Sequence, residues 1–173
     1  MPTTFTNQAT LSYNNQSIPS NVVTGVLTEV LSVSKTAIPA AYQNGDTITY
    51  AVQLVNSGTA ALTGLTLTDN LGAYTPAAGT AAVVPMTYQS DTLRYYRNGI
   101  LQATPTVAAT SPLTVTGLSI PAGGNTTLMY AVKTNQFTPY GAEESVTNTA
   151  TVTGGGLAAP LTAEATVNAD PAP

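Results

Sequence analysis

The 173-residue sequence contains no cysteine, no histidine and no tryptophan. Without cysteine there is no disulfide, no thiolate nucleophile and no sulfur ligand for a metal. Without histidine the usual general base and the commonest metal-binding side chain are gone. Charge is scarce as well: 7% of residues are charged, where an ordinary soluble domain has roughly 25%. Only four are lysine or arginine and the net charge is −4, so no patch exists to neutralise phosphates and nucleic acid is not a partner. The eight carboxylates are scattered, with no calcium-loop spacing and no glycine-rich phosphate loop. Asp69 and Asp91 are the one pair to weigh for glycoside hydrolysis, and nothing in their spacing joins them. Turnover catalysis, a metal and a cofactor are therefore not expected. No apolar run approaches the roughly 18 residues of a membrane span. Met1 to Phe5 carry neither the basic nor the apolar region of a signal peptide. Export by another route, release by lysis or sporulation, or removal of a leader is expected instead.

What the chain has in quantity is threonine, and short runs in which apolar and polar residues alternate. Period-two alternation is the mark of a strand with one buried face. Phe5, Ala9, Leu11 and Tyr13 fall on one face of residues 5–13. A turn at Asn14-Asn15 and a second β-rich run from Asn21 to Leu27 make residues 1–28 a hairpin. Leu31, Val33 and Lys35 share a parity. Ile48, Tyr50, Val52 and Leu54 follow after Asn44-Gly45, and Leu65, Leu67 and Asp69 after Gly58. Residues 73–90 read as a long connection. Leu93–Arg97, Asn98-Gly99 and Ile100–Gln102 form the strongest hairpin signal, since Asn-Gly suits a type I′ turn. Pro105 and Pro112 mark the next stretch as loop. Leu113–Ile120, 126–133, Ser145–Thr153 and Leu161–Val167 complete the strands. No segment has helical periodicity. About ten short strands separated by turn signals predict an all-β Ig-like sandwich. The expected division is an N-terminal arm at 1–28, the sandwich at 29–168 and a flexible tail at 169–173.

Three inward positions carry polar side chains: Lys35, Asp69 and Asn148, the last with Val146, Ala150 and Val152. Burying an ammonium without a partner is very costly, so Lys35 must meet something specific. Burial lowers the pKa of an amine and raises that of a carboxyl group. A neutral Lys35 can then attack the Asn148 carboxamide while Asp69 polarises its carbonyl and shuttles protons. Ammonia leaves, and an isopeptide bond staples an early strand to a late one. A Lys35–Asp69 salt bridge that never reacts fits the same residues equally well. Lys133, at a strand end, is expected to be solvated.

Phe5-Thr-Asn7-Gln-Ala9-Thr-Leu11 repeats the pattern of Val146-Thr-Asn148-Thr-Ala150-Thr-Val152. Two threonine-rich strands can coincide in this way. The sharper reading makes Phe5, Asn7, Ala9, Leu11 and Tyr13 the donor row of a spare hairpin that adds to a neighbouring subunit. Such a head-to-tail contact yields a filament when its rotation does not close. Asn7 then makes an intermolecular bond from Lys35 conceivable.

Ser34-Lys35-Thr36-Ala37, Gly45-Asp46-Thr47-Ile48-Thr49-Tyr50, Val55-Asn56-Ser57-Gly58, Leu67-Thr68-Asp69-Asn70-Leu71-Gly72 and Thr147-Asn148-Thr149-Ala150-Thr151-Val152 resemble the DUF11 repeat of bacterial surface proteins. The resemblance spans residues 31–153 and implies an Ig-like sandwich used in cell-envelope, adhesin-like and filamentous proteins. Related pilin and adhesin sandwiches carry acid-assisted Lys–Asn isopeptide bonds, and the matching positions are Lys35, Asn148 and Asp69. A single unit, with neither leader nor wall-sorting tail in view, departs from the tandem arrays of that family and favours strand-mediated assembly.

The function expected is a structural subunit of an extracellular filament or appendage on a bacterial cell or spore surface. Its partners are copies of itself and other surface proteins. The alternative is an adhesin or carbohydrate-binding module, with Tyr88, Tyr95 and Tyr96 among nine tyrosines as a stacking platform. Cross-strand packing is the commoner use of such tyrosines.

Overall fold

The structure, a computed structural model, describes residues 3–27, 30–77, 79, 81–141 and 143–170. It divides into two units, Met1–Val30 and Leu31–Pro173. Every described residue that falls within a regular element is in a strand.

The first unit is a two-stranded ribbon. β1 (Thr3–Asn7) pairs antiparallel with β4 (Val23–Leu27), and β2 (Thr10–Tyr13) with β3 (Gln16–Pro19). At the tip Asn14 and Asn15 both take positive φ, 48° and 62°, as a two-residue hairpin turn requires, and asparagine tolerates that region better than most residues. The single strand expected over 5–13 is interrupted at Gln8-Ala9. There Ala9 receives its hydrogen bond from the Ser20 N–H at 2.8 Å and donates to the Ser20 hydroxyl at 3.0 Å. The Phe5 ring lies across Gly25, where an added Cβ would come within 2.4 Å of it. Glycine is what lets the ring lie flat on the opposite strand. Residues 28 and 29, at the expected boundary of arm and sandwich, lie outside the described residues.

The second unit is a sandwich of two six-stranded sheets. Its strands are β5 (Leu31–Ile38), β6 (Ala41–Tyr42), β7 (Thr47–Asn56), β8 (Leu62–Asp69), β9 (Met86–Tyr88), β10 (Arg94–Arg97), β11 (Ile100–Leu101), β12 (Thr106–Thr110), β13 (Leu113–Ile120), β14 (Asn125–Thr134), β15 (Ser145–Gly154) and β16 (Leu161–Ala169). One sheet runs β11-β10-β14-β7-β5, with β9 also on β14; the other runs β12-β13-β8-β15-β16-β6. All ladders are antiparallel except the short one between β16 and β6.

Burial follows period two as the sequence predicts. Ile48, Tyr50, Val52 and Leu54 of β7 face Leu65 and Leu67 of β8, Val115 and Leu118 of β13, Leu128, Tyr130 and Val132 of β14, and Ala150 and Val152 of β15 in one buried core. The Asn98-Gly99 turn takes φ of 48° and 78°, the conformation of a type I′ turn. Two expectations are corrected. Residues 106–110, read as loop because Pro105 and Pro112 bracket them, form β12. Both prolines sit outside the strand, and β12 is an edge strand that is mostly exposed, so its alternation is faint. Ala169, placed at the start of the tail, closes β16, with its N–H bonded to the Glu144 carbonyl at 2.8 Å. Residues 171–173 of the expected tail lie outside the described residues.

Candidate crosslink site

Lys35, Asp69 and Asn148 are all buried, as their parity requires. Lys35 projects inward from the middle of β5, in one sheet. Asp69 ends β8 and Asn148 lies in β15, neighbours in the other. The three polar residues therefore bridge the two sheets.

Asp69 is the hub. The Lys35 ammonium and the Tyr130 hydroxyl both donate to its Oδ2, while its Oδ1 accepts the Leu71 N–H at 3.0 Å. Lys35 Nζ also stands over the Tyr50 ring, 4.6 Å from its centroid, where a cation is attracted by the electron-rich face. Burial lowers the Lys35 pKa to about 8, and the negative charge and hydrogen bond of Asp69, then the charge of Glu164, oppose that shift. Burial, followed by the charge of Asp69, pushes the hydroxyls of Tyr50 and Tyr130 up. Both tyrosines therefore stay protonated, Tyr130 donating to Asp69 and Tyr50 to the Met86 sulfur at 3.5 Å.

The turn after β8 fixes Asn148. Leu71 and Gly72 adopt φ of 54° and 72°. A Cβ on Gly72 would come 2.4 Å from Val146 and 2.9 Å from Met86, so glycine is required there by space as well as by backbone. With that turn in place the Gly72 N–H is shared, donating to Asn70 Oδ1 at 2.9 Å and to Asn148 Oδ1 at 3.2 Å. Asn70 ties the same turn to β15, accepting the Thr149 N–H at 2.9 Å and donating its own to the Thr149 carbonyl at 3.0 Å. The amide nitrogen of Asn148, by contrast, is buried and has no hydrogen-bond partner. Leaving such a group unpaired costs about 1–3 kcal/mol. It sits close enough to Tyr50 and Tyr130 for the amide to pull their pKa values down against the larger effect of burial.

The arrangement thus joins Lys35 to Asp69 directly, and joins Asp69 to Asn148 through the turn at Leu71-Gly72. No hydrogen bond runs from Lys35 to Asn148 among the described residues. Tyr130, Tyr50 and Gly72 were not singled out from sequence. Tyr130 has the inward parity of Leu128 and Val132, but so do other tyrosines, and nothing in its neighbours marks it.

The remaining sites separate. Asn7 and the donor row lie in the ribbon, where Phe5, Leu11 and Tyr13 are 59%, 66% and 73% exposed. Lys133 is exposed, as expected. Asp91 lies on an exposed turn at φ 63°, unconnected to Asp69. Tyr88 and Tyr95 are buried, and the Tyr95 hydroxyl donates to the Ser119 carbonyl at 2.8 Å. Their faces are used in packing and do not present a platform. Among the described residues no three His, Cys, Asp or Glu side chains gather as metal ligands, and no helix is long and apolar enough to cross a membrane.

No family model and no curated protein matches the chain. Solved structures do. A variant of BcpA, the major pilin subunit of Bacillus cereus, superposes with a TM-score of 0.58 at 12% identity, covering 96% of this chain and 48% of that one. The major pilin SpaD of Corynebacterium diphtheriae gives 0.55 at 16% identity, over 81% of this chain and 34% of that one. The pilus backbone protein RrgB of Streptococcus pneumoniae gives 0.55 at 11% identity, over 71% and 31%. The chain spans at most about half the length of these proteins. Their likeness to it is one of fold: an Ig-like β-sandwich of the kind from which pilin subunits are built.

Proposed function

We propose that this chain is a structural subunit of an extracellular bacterial filament or surface appendage, on a cell or a spore. In this reading it polymerises head-to-tail by donating its N-terminal arm. The carrying observation is the ribbon itself. Phe5, Leu11, Tyr13, Ile18 and Val23 are exposed on β1 to β4, which have no second layer among the described residues of their own unit. Residues 3–27 contain no Asp, Glu, Lys or Arg. Natural edge strands are normally guarded by charge or proline against pairing with another chain, and residues 3–27 keep only Pro19, at the end of β3. The pilin fold of the neighbours and the DUF11-like motifs support the same reading. Deleting residues 1–28 tests it, because among the described residues the buried core lies within the second unit. The expected product is a folded monomer that forms no fibres by electron microscopy; fibres from the deleted protein would sink the idea.

The internal staple belongs to the same proposal. Asp69 assists the attack on the Asn148 carbonyl, whose oxygen shares the Gly72 N–H with Asn70, and the unpartnered amide nitrogen is the leaving group. With a pKa of about 8, about one Lys35 in ten is neutral at pH 7. Its Nζ lone pair attacks the Asn148 carbonyl carbon. Asp69 takes a proton from the attacking nitrogen and delivers it to the departing one. A C–N bond to Lys35 forms, the C–N bond to the amide nitrogen breaks, and one ammonia leaves. Intact mass before and after boiling in denaturant reads the result. A monomer lighter by one ammonia is expected; full mass without a boiling-resistant ladder would leave Lys35 and Asp69 as a buried ion pair. A ladder would move the bond between subunits and bring Asn7 forward.

The second reading is an adhesin or carbohydrate-binding surface module. A groove of about 430 Å³ lined by Tyr88, Ser90, Asp91, Arg94 and Thr104 is the place for a glycan, but its tyrosine is buried and offers no stacking face. Glycan-array binding by the monomer would favour this reading over the filament.

A further inference from the structure

The strand donated by the arm needs a particular edge to receive it. Among the described residues five strands of the two sheets have a single partner: β11, β9, β5, β12 and β6. The sheet that ends in β6 is incomplete there. β6 meets β16 only at Asn168 and Ala169, so Leu161–Val167 of β16 has β15 on one side and no strand on the other.

The open edge has donors aimed outward. Asn168 and Asp170 send their N–H groups away from β15, to the carbonyls of Ala40 at 3.0 Å and Tyr42 at 2.8 Å. Alternation along the strand puts the N–H groups of Thr162, Glu164 and Thr166 on that same side. Beside this edge runs β5, from the opposite sheet, with Cα atoms within 8 Å of β16. Of the side chains turned inward along the seam, Leu31, Lys35 and Val167 are buried, while Val33, Ala37, Leu161, Ala163 and Ala165 are only half-buried. Small residues let the sheets pinch together here, and a further strand along β16 would cover what stays wet.

The arm fits that place. The row Phe5–Leu11, which begins in β1 and crosses the Gln8-Ala9 break into β2, repeats the side-chain pattern of β15, and β15 is the strand that β16 already pairs with, Val146 opposite Val167 and Ala150 opposite Ala163. β1 has β4 on one side and an uncharged edge on the other.

We infer that the acceptor is the outer edge of β16, Leu161 to Val167, of a second copy of this chain, paired by the free edge of β1. This rests on the strand-donation reading and adds the address. The donated strand prolongs the β15–β16 side of the sandwich in line with β6 and lays its apolar row over the β5–β16 seam.

Proline removes one backbone donor, which gives a test on the full chain. Thr162→Pro deletes an outward N–H of β16 and spares the β15 ladder; Ala108→Pro, at the bulge of the exposed β12 edge where proline is tolerated, is the control. The expected result is two folded proteins by circular dichroism, with pelletable fibre lost from Thr162→Pro and retained by Ala108→Pro. Because the chain has no native cysteine, disulfides give an independent address. Thr6→Cys protein mixed with Thr162→Cys protein should yield an oxidised heterodimer, and mixed with Ala108→Cys protein should not. Fibres from folded Thr162→Pro, or coupling of Thr6→Cys to the β12 edge alone, would overturn the acceptor. Failure of the underlying reading looks different: full-chain Leu11→Lys, with its arm charged, would polymerise as well as the native protein, and the address would fall with it.

Discussion

The strand Val146–Val152 and the arm residues Phe5–Leu11 share one pattern, yet the first is the centre of a six-stranded sheet and the second lies in a ribbon open to solvent. Val146, Asn148, Ala150 and Val152 are buried between β8 and β16. Phe5, Asn7, Ala9 and Leu11 have neighbours on one side only. β15 runs unbroken from Ser145 to Gly154, whereas the arm breaks at Gln8-Ala9 and patches the gap with the Ser20 side chain. Alternation therefore specifies which face of a strand is apolar. Whether that face is covered, and whether the strand stays continuous, depends on what lies on both sides. Asn148 becomes a reactive candidate only because Gly72, Tyr130 and Asp69 surround it; Asn7 has the same sequence context and none of that company.

The comparison can be broken most forcefully at Asp69. In an Asn148→Ala background, where no bond can form, Asp69→Ala leaves the Lys35 ammonium buried without its partner, and chemical denaturation should show a loss of about 3–5 kcal/mol. Asn7→Ala in the arm should leave stability unchanged. An Asp69→Ala protein as stable as its parent would mean that Lys35 swings out to water.

A smaller difference is expected between equivalent apolar positions. Val152→Ala opens a hole in a fully buried site and should cost about 2 kcal/mol. Leu11→Ala should change the melting of the monomer by less than about 0.5 kcal/mol and reduce fibre formation instead. Equal losses of stability at both positions would show the arm to be packed within the monomer.

Acidity sharpens the contrast further. In refolded protein the rate of ammonia loss should rise about tenfold per pH unit until Lys35 is half deprotonated near pH 8 and then level off. Asn148→Ala protein cannot react and should report the same group through stability. Folded Lys35 gives up its proton near pH 8 and unfolded lysine near 10.5, so between those values the unfolded chain binds more protons. Stability should therefore rise as pH climbs through that window. A flat urea profile from pH 8 to 10 would contradict the lowered pKa.

The smallest effect is expected at Gly25. Gly25→Ala pushes only on the far end of the Phe5 ring, so the melting temperature should stay put while the arm loses its flat face and fibres form more slowly. Unchanged assembly kinetics would show that this face is not the one that docks.

Much of this was legible because a sandwich strand declares its faces at every second residue. Lys35, Asp69 and Asn148 stood out as polar side chains on apolar parities, and the structure buries all three. Tyr130 was hidden for the opposite reason: an inward tyrosine looks like ordinary core until its hydroxyl is seen on Asp69. Gly72 was part of a turn motif, but its service to Asn148 depends on the fold bringing β15 alongside β8, which no local pattern encodes. β12 escaped because an exposed edge strand has no dry face to generate alternation. The gap beside β16 could not be read at all, since an unpaired edge is a property of the strands that are not there.

The bridge between Lys35 and Asp69 also sets how the sandwich answers to force. The chain enters it on β5 and leaves it on β16, strands of opposite sheets. β16 ends parallel to β6, which continues β5, so the start of β5 and the end of β16 lie at opposite poles, and tension between them loads the plane between the sheets in shear. Lys35 and Asp69 stand across that plane a few residues from the point of entry. Sliding one sheet past the other means drawing two opposite charges apart inside an apolar layer, before water can reach either. The pair is a latch, placed where the load arrives first.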